Sequence, residues 1–515
     1  MPKLYWEKKD NNHIQKSKNS QKAYGFHALE LLENPIIGNF ASDNDISKKN
    51  QSKNQEQKRN SYDWKNLLIW GENKNIIGSL NPKFSNKINL IYLDPPYATG
   101  GKFDSKTFIG ESNSFENKKA YSDIWEGGID EYINFLYDRL LLMKTLLSEN
   151  GSIYVHLDWH VSHYIKVILD EIFGKENFRN EIIWAYPAAS AKTRRFFIRS
   201  FDSILFYTKS SDYTFNDDPE IYMEYSDRVK FALKEDDKGM FYYRGGSHNG
   251  KKLSQKVYIT NKGIFPRDVW TDIPYIRANT LEYQAFSTQK PERLLKRIIL
   301  ASSNKNDIVA DFFCGTGTSL AVAEKLGRRW IGSDIAKQAI NISRKRILDV
   351  WNSKDLMDWN KKYEKRSQPF KIVKNNEYTQ TINTHKDFLT ENIQKKDNIS
   401  LIQNTKFVVN ISKKDSQITV ELIDYIIPNL MLIKNNIKNR IKKFSDWIDS
   451  WAIDFNHQKH SFITAWISYR TLKNRKLNLT SIPYNYEEKG KHTITIKVND
   501  ILGIETIQEY EVAIP

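Results

Sequence analysis

Two short segments hold residue types that could do chemistry together. The first is Asp94-Pro95-Pro96-Tyr97. Its prolines lack N–H donors and have a fixed φ, so the loop is stiff and its carbonyls stay free. A carboxylate beside free carbonyls can accept both hydrogens of an exocyclic amine, and the Tyr97 ring offers a face on which a base can stack. Asp and Pro also end strands as plain turns, and the tetrapeptide alone leaves that reading open. The second segment is Asp311-Phe312-Phe313-Cys314-Gly315-Thr316-Gly317-Thr318. Glycines let a backbone turn sharply and approach a ligand, and a helix starting at Thr318 presents free N–H groups. Asp334 stands 19 residues beyond Gly315. At about that spacing an acidic side chain typically accepts hydrogen bonds from ribose hydroxyls. Together these residues describe a site for a nucleoside-bearing cofactor, although a bare G-x-G loop also serves as a tight turn. There is no third glycine, which suits a dinucleotide less well. No G-x-x-x-x-G-K-[ST] occurs, which argues against ATP hydrolysis.

The elements around these segments read as α/β. Ile88–Leu93 (INLIYL) is an almost continuous apolar run that stops at Asp94, as a strand buried on both faces does. Asp307–Phe312 and Arg329–Ser333 are the strands that deliver the glycine loop and Asp334. Ser152–Leu157, Glu181–Trp184 and Ser203–Thr208 are further strands. Helical spacing runs over Glu131–Leu147, Val161–Gly174, Pro291–Ser303, Thr318–Leu326 and Ala336–Val350. Alternating strands and helices predict a parallel or mostly parallel sheet covered on both faces. Ligands of such sheets bind at the carboxyl ends of the strands, where both segments fall.

Residues 185–285 interrupt this rhythm and carry Lys192, Arg194, Arg195 and Arg199, which suit phosphate contacts as well as an ordinary solvated loop. Residues 41–60 hold ten Asn, Gln or Ser and read as a polar linker after an N-terminal arm with a helix at Ala23–Asn34 (AYGFHALELLEN). The expected organisation is therefore an arm and linker over 1–60, a core over 61–360 and a β-rich C-terminal domain over 365–515. Lys406–Ile411 and Ile418–Leu422 form a hairpin in that last part, and Thr493–Val498 alternates as a half-buried strand. Lys438–Lys443 reads as a solvated helix face.

At roughly 150 residues per domain, 515 residues make about two to four domains. The formal net charge of +16 fits a partner rich in phosphate, but a Lys-rich composition gives the same balance. One cysteine, Cys314, excludes an intramolecular disulfide and a Cys-based zinc site, and suits a reducing cytosol. No apolar run approaches a membrane span, and the N-terminus lacks a signal-peptide pattern. His156, His160 and His163 with Asp158 straddle a strand end and a helix start; the reading takes no metal there.

This combination resembles the DNA amino-methyltransferases, in which an Asp-Pro-Pro-Tyr loop is catalytic and a Phe-x-Gly-x-Gly loop binds S-adenosylmethionine. The catalytic loop comes first, with about a hundred residues between, which is the circularly permuted order of the family's β class. Ser287-Thr288-Gln289-Lys290-Pro291-Glu292 and Val269–Pro274 match as well. IYLDPPYATG and GSIYVHLDWHVSHYIKVILDEIFG look like modification subunits of type III restriction systems and their solitary relatives. The likeness covers about residues 64–350. It implies a Rossmann-like core with an inserted target-recognition region at 185–285, and transfer of a methyl group to a base flipped from double-stranded DNA. Asp94, Pro95, Pro96 and Tyr97 would be catalytic. Asp311, Phe313, Gly315, Gly317, Thr318 and Asp334 would bind the cofactor, with Lys290 and Pro291 flanking its methionine end. Lys192, Arg194, Arg195 and Arg199 would contact DNA. An aspartate in first position points to adenine N6, while cytosine N4 and a non-catalytic DNA-binding subunit stay as alternatives. Carbon-5 methylation needs a nucleophilic cysteine, which Cys314, inside the cofactor loop, does not supply. Homodimerisation is a habit of the family, the resemblance leaves open whether a separate restriction subunit exists, and the lone cysteine suits a cytoplasmic location.

Overall fold

Short apolar runs that bury both faces pair side by side and form the centre of the molecule. The computed structural model describes residues 4–6, 9, 25–38, 64–112, 114–187, 195, 197–248, 251–260, 262–286, 288–375, 405–427, 433–458 and 461–515. Among them one sheet has 14 strands. In chain order these are β1 (Phe26–Ile37), β2 (Asn66–Trp70), β3 (Ile88–Leu93), β4 (Leu147–Leu157), β5 (Phe178–Ala185), β6 (Phe201–Thr208) and β7 (Val269–Trp270). Then come β8 (Ile308–Asp311), β9 (Arg329–Asp334), β10 (Phe370–Asn375), β11 (Ile448–Asp454), β12 (Phe462–Tyr469), β13 (Gly490–Asp500) and β14 (Glu505–Ile514). Across the sheet the order is β7-β5-β6-β4-β3-β8-β9-β2-β10-β1-β12-β11-β13-β14. From β4 to β10 every neighbouring pair is parallel, and β6 is antiparallel to both its neighbours.

The principal helices are α1 (Asn73–Phe84), α2 (Gly128–Leu146), α3 (Ser162–Phe173), α4 (Glu292–Ser302), α5 (Thr318–Lys325) and α6 (Lys337–Leu348). Successive strand residues point to opposite faces. Leu90, Tyr92 and Val309 accordingly pack with Leu294, Leu320 and Ile340 of α4, α5 and α6. Ile91, Leu93 and Ala310 pack with Ile76, Leu136 and Ile165 of α1, α2 and α3. Helices cover both faces of the central sheet, as the alternation of elements predicts.

The N-terminal expectation is corrected. Ala23–Asn34 was expected as a helix, but Phe26–Ile37 is a strand, antiparallel to β10 and parallel to β12. Leu29, Leu31 and Leu32 fit either period, and pairing with two partners far away in sequence decides it. The register shifts between Leu32 and Ile36, where Asn34 takes a positive φ of 51° ahead of Pro35. The sheet continues beyond Lys365 through β10 and β1 into the C-terminal strands. Lys406–Lys414 and Gln417–Ile426 form the anticipated hairpin. Lys438–Lys443 is not a helix face: the helix there spans only Asn435–Lys438. Arg440 and Lys443 instead pair with Glu116 and Glu111. The polar linker at 41–60 lies outside the described residues.

Candidate active site at the carboxyl ends of β3 and β8

β3 and β8 lie side by side, with Leu90 opposite Val309 and Ile91 opposite Ala310. From β3 the chain crosses to β4 on one side, and from β8 to β9 on the other. A crevice opens where two crossovers diverge, and open α/β sheets bind ligands there. Asp94 and Phe313 each stand three residues beyond the pair Ile91 and Ala310, so both predicted loops converge on this crevice.

On the β3 side, the Tyr97 hydroxyl donates to Asp94 Oδ1 at 2.5 Å. Lys290 Nζ lies 2.9 Å from the same oxygen and 5.2 Å from the centre of the Tyr97 ring. Asp94 Oδ2 carries no hydrogen bond among the described residues. Lys290, expected to flank a cofactor, thus reaches across to the catalytic loop. Burial, reinforced by the Asp94 charge, pushes the Tyr97 phenol well above its ordinary range, so it stays a neutral donor. Behind Tyr97 stands His156, its ring at 6.3 Å and 23° to the tyrosine. His156 is fully buried, its Nδ1 2.8 Å from the Tyr92 hydroxyl and its Nε2 3.0 Å from Asp202 Oδ2. Both ring nitrogens are therefore engaged in packing the site from behind. His160 Nδ1 lies 2.6 Å from Asp158. Among the described residues, no group of three His, Cys, Asp or Glu side chains could hold a metal ion.

On the β8 side, Gly315 has φ +49° and Gly317 φ +70°. A Cβ on Gly317 would come 2.7 Å from Ser343 Oγ, the hydroxyl that donates to the Gly315 carbonyl. On Gly315 the nearest atom would be 3.9 Å away. One glycine is thus required by packing from α6, while at the other a Cβ would make only ordinary contact. Asp334 receives the N–H groups of Gly315 at 3.0 Å and Ala336 at 2.8 Å, and burial pushes its carboxyl up to about 6. The Asp311 carboxylate accepts from Phe313 N and the Ser319 hydroxyl, holding the loop from below. Burial raises it to about 7. Thr318 opens α5, and its hydroxyl accepts from Arg346 at 2.8 Å. Arg346 in turn pairs with buried Glu292, as Lys325 does. Pro291 caps α4, fixing Lys290 just ahead of the helix. Asp311 and Thr318 therefore shape the loop, and Asp334 ties it to the end of β9. Cys314 is buried, and burial raises its thiol well above the ordinary range, which leaves it unsuited to nucleophilic attack.

A cavity of about 980 Å³ opens next to this crevice, between Ile335 and α6 on one side and residues 470–475 and 500–505 on the other. It does not reach Asp94, Tyr97 or Phe313.

Three residues were not anticipated. Asn73, the first residue of α1, donates to the Phe312 carbonyl at 3.2 Å and accepts from Arg139 Nε at 2.5 Å. The Arg139 guanidinium lies 3.4 Å from the centre of the Phe135 ring, which neighbours Phe313. Asp123, 26 residues after Tyr97, accepts from the backbone that follows the catalytic loop. No local pattern marks Arg139 or Asp123, while Asn73 opens the helix that follows β2. Of the expected DNA contacts, Lys192 and Arg194 lie outside the described residues. Arg195 is exposed, and the Arg199 guanidinium sits 3.8 Å from the centre of the Trp159 ring, just beyond β4.

The Phe313–Gly317 loop and the Asp94–Tyr97 loop stand at the carboxyl ends of neighbouring parallel strands of one α/β sheet, which is a Rossmann-like arrangement. A family model described as DNA methylase matches residues 88–345, and the chain belongs to that family. It is 31% identical over 325 residues to the type II methyltransferase M.EcaI of Enterobacter cloacae, covering 55% of this chain and 69% of that protein. It is 30% identical to the DNA adenine methyltransferase YhdJ of Escherichia coli (strain K12), covering 51% of this chain and 77% of that protein. A probable type III HindVI Mod subunit from Haemophilus influenzae is 25% identical, with 52% of this chain and 48% of that protein covered.

Proposed function

We propose that this protein methylates N6 of adenine at a specific site in double-stranded DNA, with S-adenosylmethionine as donor. The observation that carries the reading is the convergence of the Asp94–Tyr97 and Phe313–Gly317 loops at the carboxyl ends of the paired strands β3 and β8. The residues fit the donor: no atom would come closer than 3.9 Å to a Cβ on Gly315, so the backbone there is uncrowded, and Asp334 keeps acceptor capacity beyond its backbone bonds. S-adenosylmethionine supplies an electrophilic methyl group. Asp94 Oδ2 and the Pro95 carbonyl accept the two amino hydrogens, localising the nitrogen lone pair and aiming it across the crevice. Asp94 is also the nearest acceptor for the proton that the amine sheds. Tyr97 stacks against the flipped base and offsets part of the unstacking cost of a few kcal/mol. Phe313 and Gly317 line the donor's path, and Asp334 takes its ribose hydroxyls.

In this reading residues 1–60 are an arm and linker, 61–360 the core with target recognition at 185–285, and 365–515 an accessory domain. Arg195 and Arg199, with Lys192 and Arg194, contact phosphates. Likeness to a modification subunit supports a separate restriction partner, and homodimer formation is the family habit. Among the described residues no helix is long and apolar enough to cross a membrane. A genomic DNA substrate and a single cysteine favour the cytoplasm. The test is transfer of label from S-adenosylmethionine to unmethylated duplex DNA, followed by digestion to nucleosides. Label in N6-methyldeoxyadenosine supports the proposal, while label in N4-methyldeoxycytidine moves the activity to cytosine.

A further inference from the structure

Pro95 and Pro96 have no N–H groups, so the first backbone donors of the catalytic loop belong to Tyr97, Ala98 and Thr99. All three point at one carboxylate. Asp123 Oδ2 accepts from Tyr97 N at 3.2 Å, Thr99 N at 2.8 Å and Thr99 Oγ1 at 2.9 Å. Asp123 Oδ1 accepts from Ala98 N at 2.9 Å and Trp125 Nε1 at 3.0 Å. The backbone of Asp123 adds two more bonds, donating to the Gly101 carbonyl and accepting from Gly100 N. Asp123 is only 1% exposed, so these donors replace the water its charge would otherwise need.

The same contact holds an unfavourable conformation. Ala98 has φ +55°, a left-handed geometry that a residue with a Cβ rarely adopts and that persists only where its surroundings impose it. Ala98 directly follows Tyr97, whose hydroxyl must meet Asp94. Relaxation of Ala98 to negative φ would swing the chain on one side of Tyr97 while the rigid prolines fix the other.

We propose that Asp123 is a positioning residue for methyl transfer: its carboxylate gathers three successive amides, locks Ala98 left-handed and thereby holds Tyr97 against Asp94. The inference rests on the assignment of Asp94 and Tyr97 to the reaction.

Asp123→Asn keeps size and shape but places a carboxamide NH2, itself a donor, among the donors. In hydrogen–deuterium exchange on the full chain, amides 97–99 should exchange at least about tenfold faster in the variant, with the 311–318 peptide unchanged. Single-turnover transfer to duplex DNA should fall about 10- to 100-fold, as misplacement of a reacting group costs, with donor Kd within about threefold. Ala98→Gly removes the penalty of positive φ, so in the Asp123→Asn background it should recover at least about threefold of the lost rate. Unchanged exchange and unchanged transfer overturn the proposal. So does an equal loss of donor binding and transfer, which is the mark of general structural damage. Exchange is read without substrate, so failure of the loop geometry is distinguishable from failure of the assigned reaction, which a wild-type protein inactive on DNA would show.

Discussion

Tyr97 and Asp94 work as one unit, because the hydroxyl and Lys290 both meet Oδ1. Tyr97→Phe keeps the stacking ring and deletes only this donor. A hydrogen bond to a charged group contributes about 1.5–3 kcal/mol, so the single-turnover rate should fall roughly 10- to 100-fold while duplex affinity is kept. Asp334 adds a pH dependence with two opposite signs. Its ordinary pKa of 3.8 is raised to about 6 in the fold by burial. As an acceptor for ribose it must be ionised, so donor affinity measured by calorimetry should weaken as pH falls through about 6, and Asp334→Asn should flatten the curve. For stability the sign reverses. A raised carboxyl favours the neutral form in the fold, so its contribution is full below about 3.8 and lost as pH rises through about 6. At this scale the two loops were legible because each is contiguous in sequence and each residue type has a chemical reason. The Lys290 contact with Asp94 and the role of Asp123 were not, since both depend on folding that brings distant segments together.

At the scale of elements, helices and parallel strands were legible wherever apolar runs are strong. INLIYL forms a strand with the expected bounds, and the helix after Gly317 begins at Thr318. β1 was not legible, and the reason is Glu30. A charged residue at a fully covered strand position argues against a buried strand until its partners are known. Arg344 Nη2 of α6 lies 2.5 Å from its Oε1, and Lys497 Nζ of β13 lies 2.6 Å from Oε2, with Thr464 of β12 also donating. Burial alone would raise the Glu30 carboxyl, but the two cations outweigh it and hold the group at about 2. One carboxylate thus joins the N-terminal strand, the core and the C-terminal strands. Glu30→Gln leaves two buried cations without their counter-charge and should destabilise by about 3–5 kcal/mol in chemical unfolding. The wild-type contribution is present above the ordinary value of 4.5 and should be lost as pH falls toward about 2.

At the scale of the whole molecule, the fold class was legible from the alternation of strands and helices. The single sheet of 14 strands was not, because no local pattern reports that β1 bridges β10 and β12. With duplex DNA as the proposed substrate of a chain carrying a net charge of +16, binding should weaken steeply with salt. Arg195→Ala and Arg199→Ala should each reduce the slope of log K against log salt by about 1, read by fluorescence anisotropy across a salt series. Site-specific adenine methylation itself is tested most directly in a bacterial strain that lacks DNA methylation. Expressed there, the wild-type protein should place N6-methyladenine at one recurring short sequence in the genome, read base by base by long-read sequencing. Asp94→Ala should leave that sequence unmodified. Marks on cytosine N4 at the recurring sequence, or adenine marks that persist with Asp94→Ala, would contradict the account.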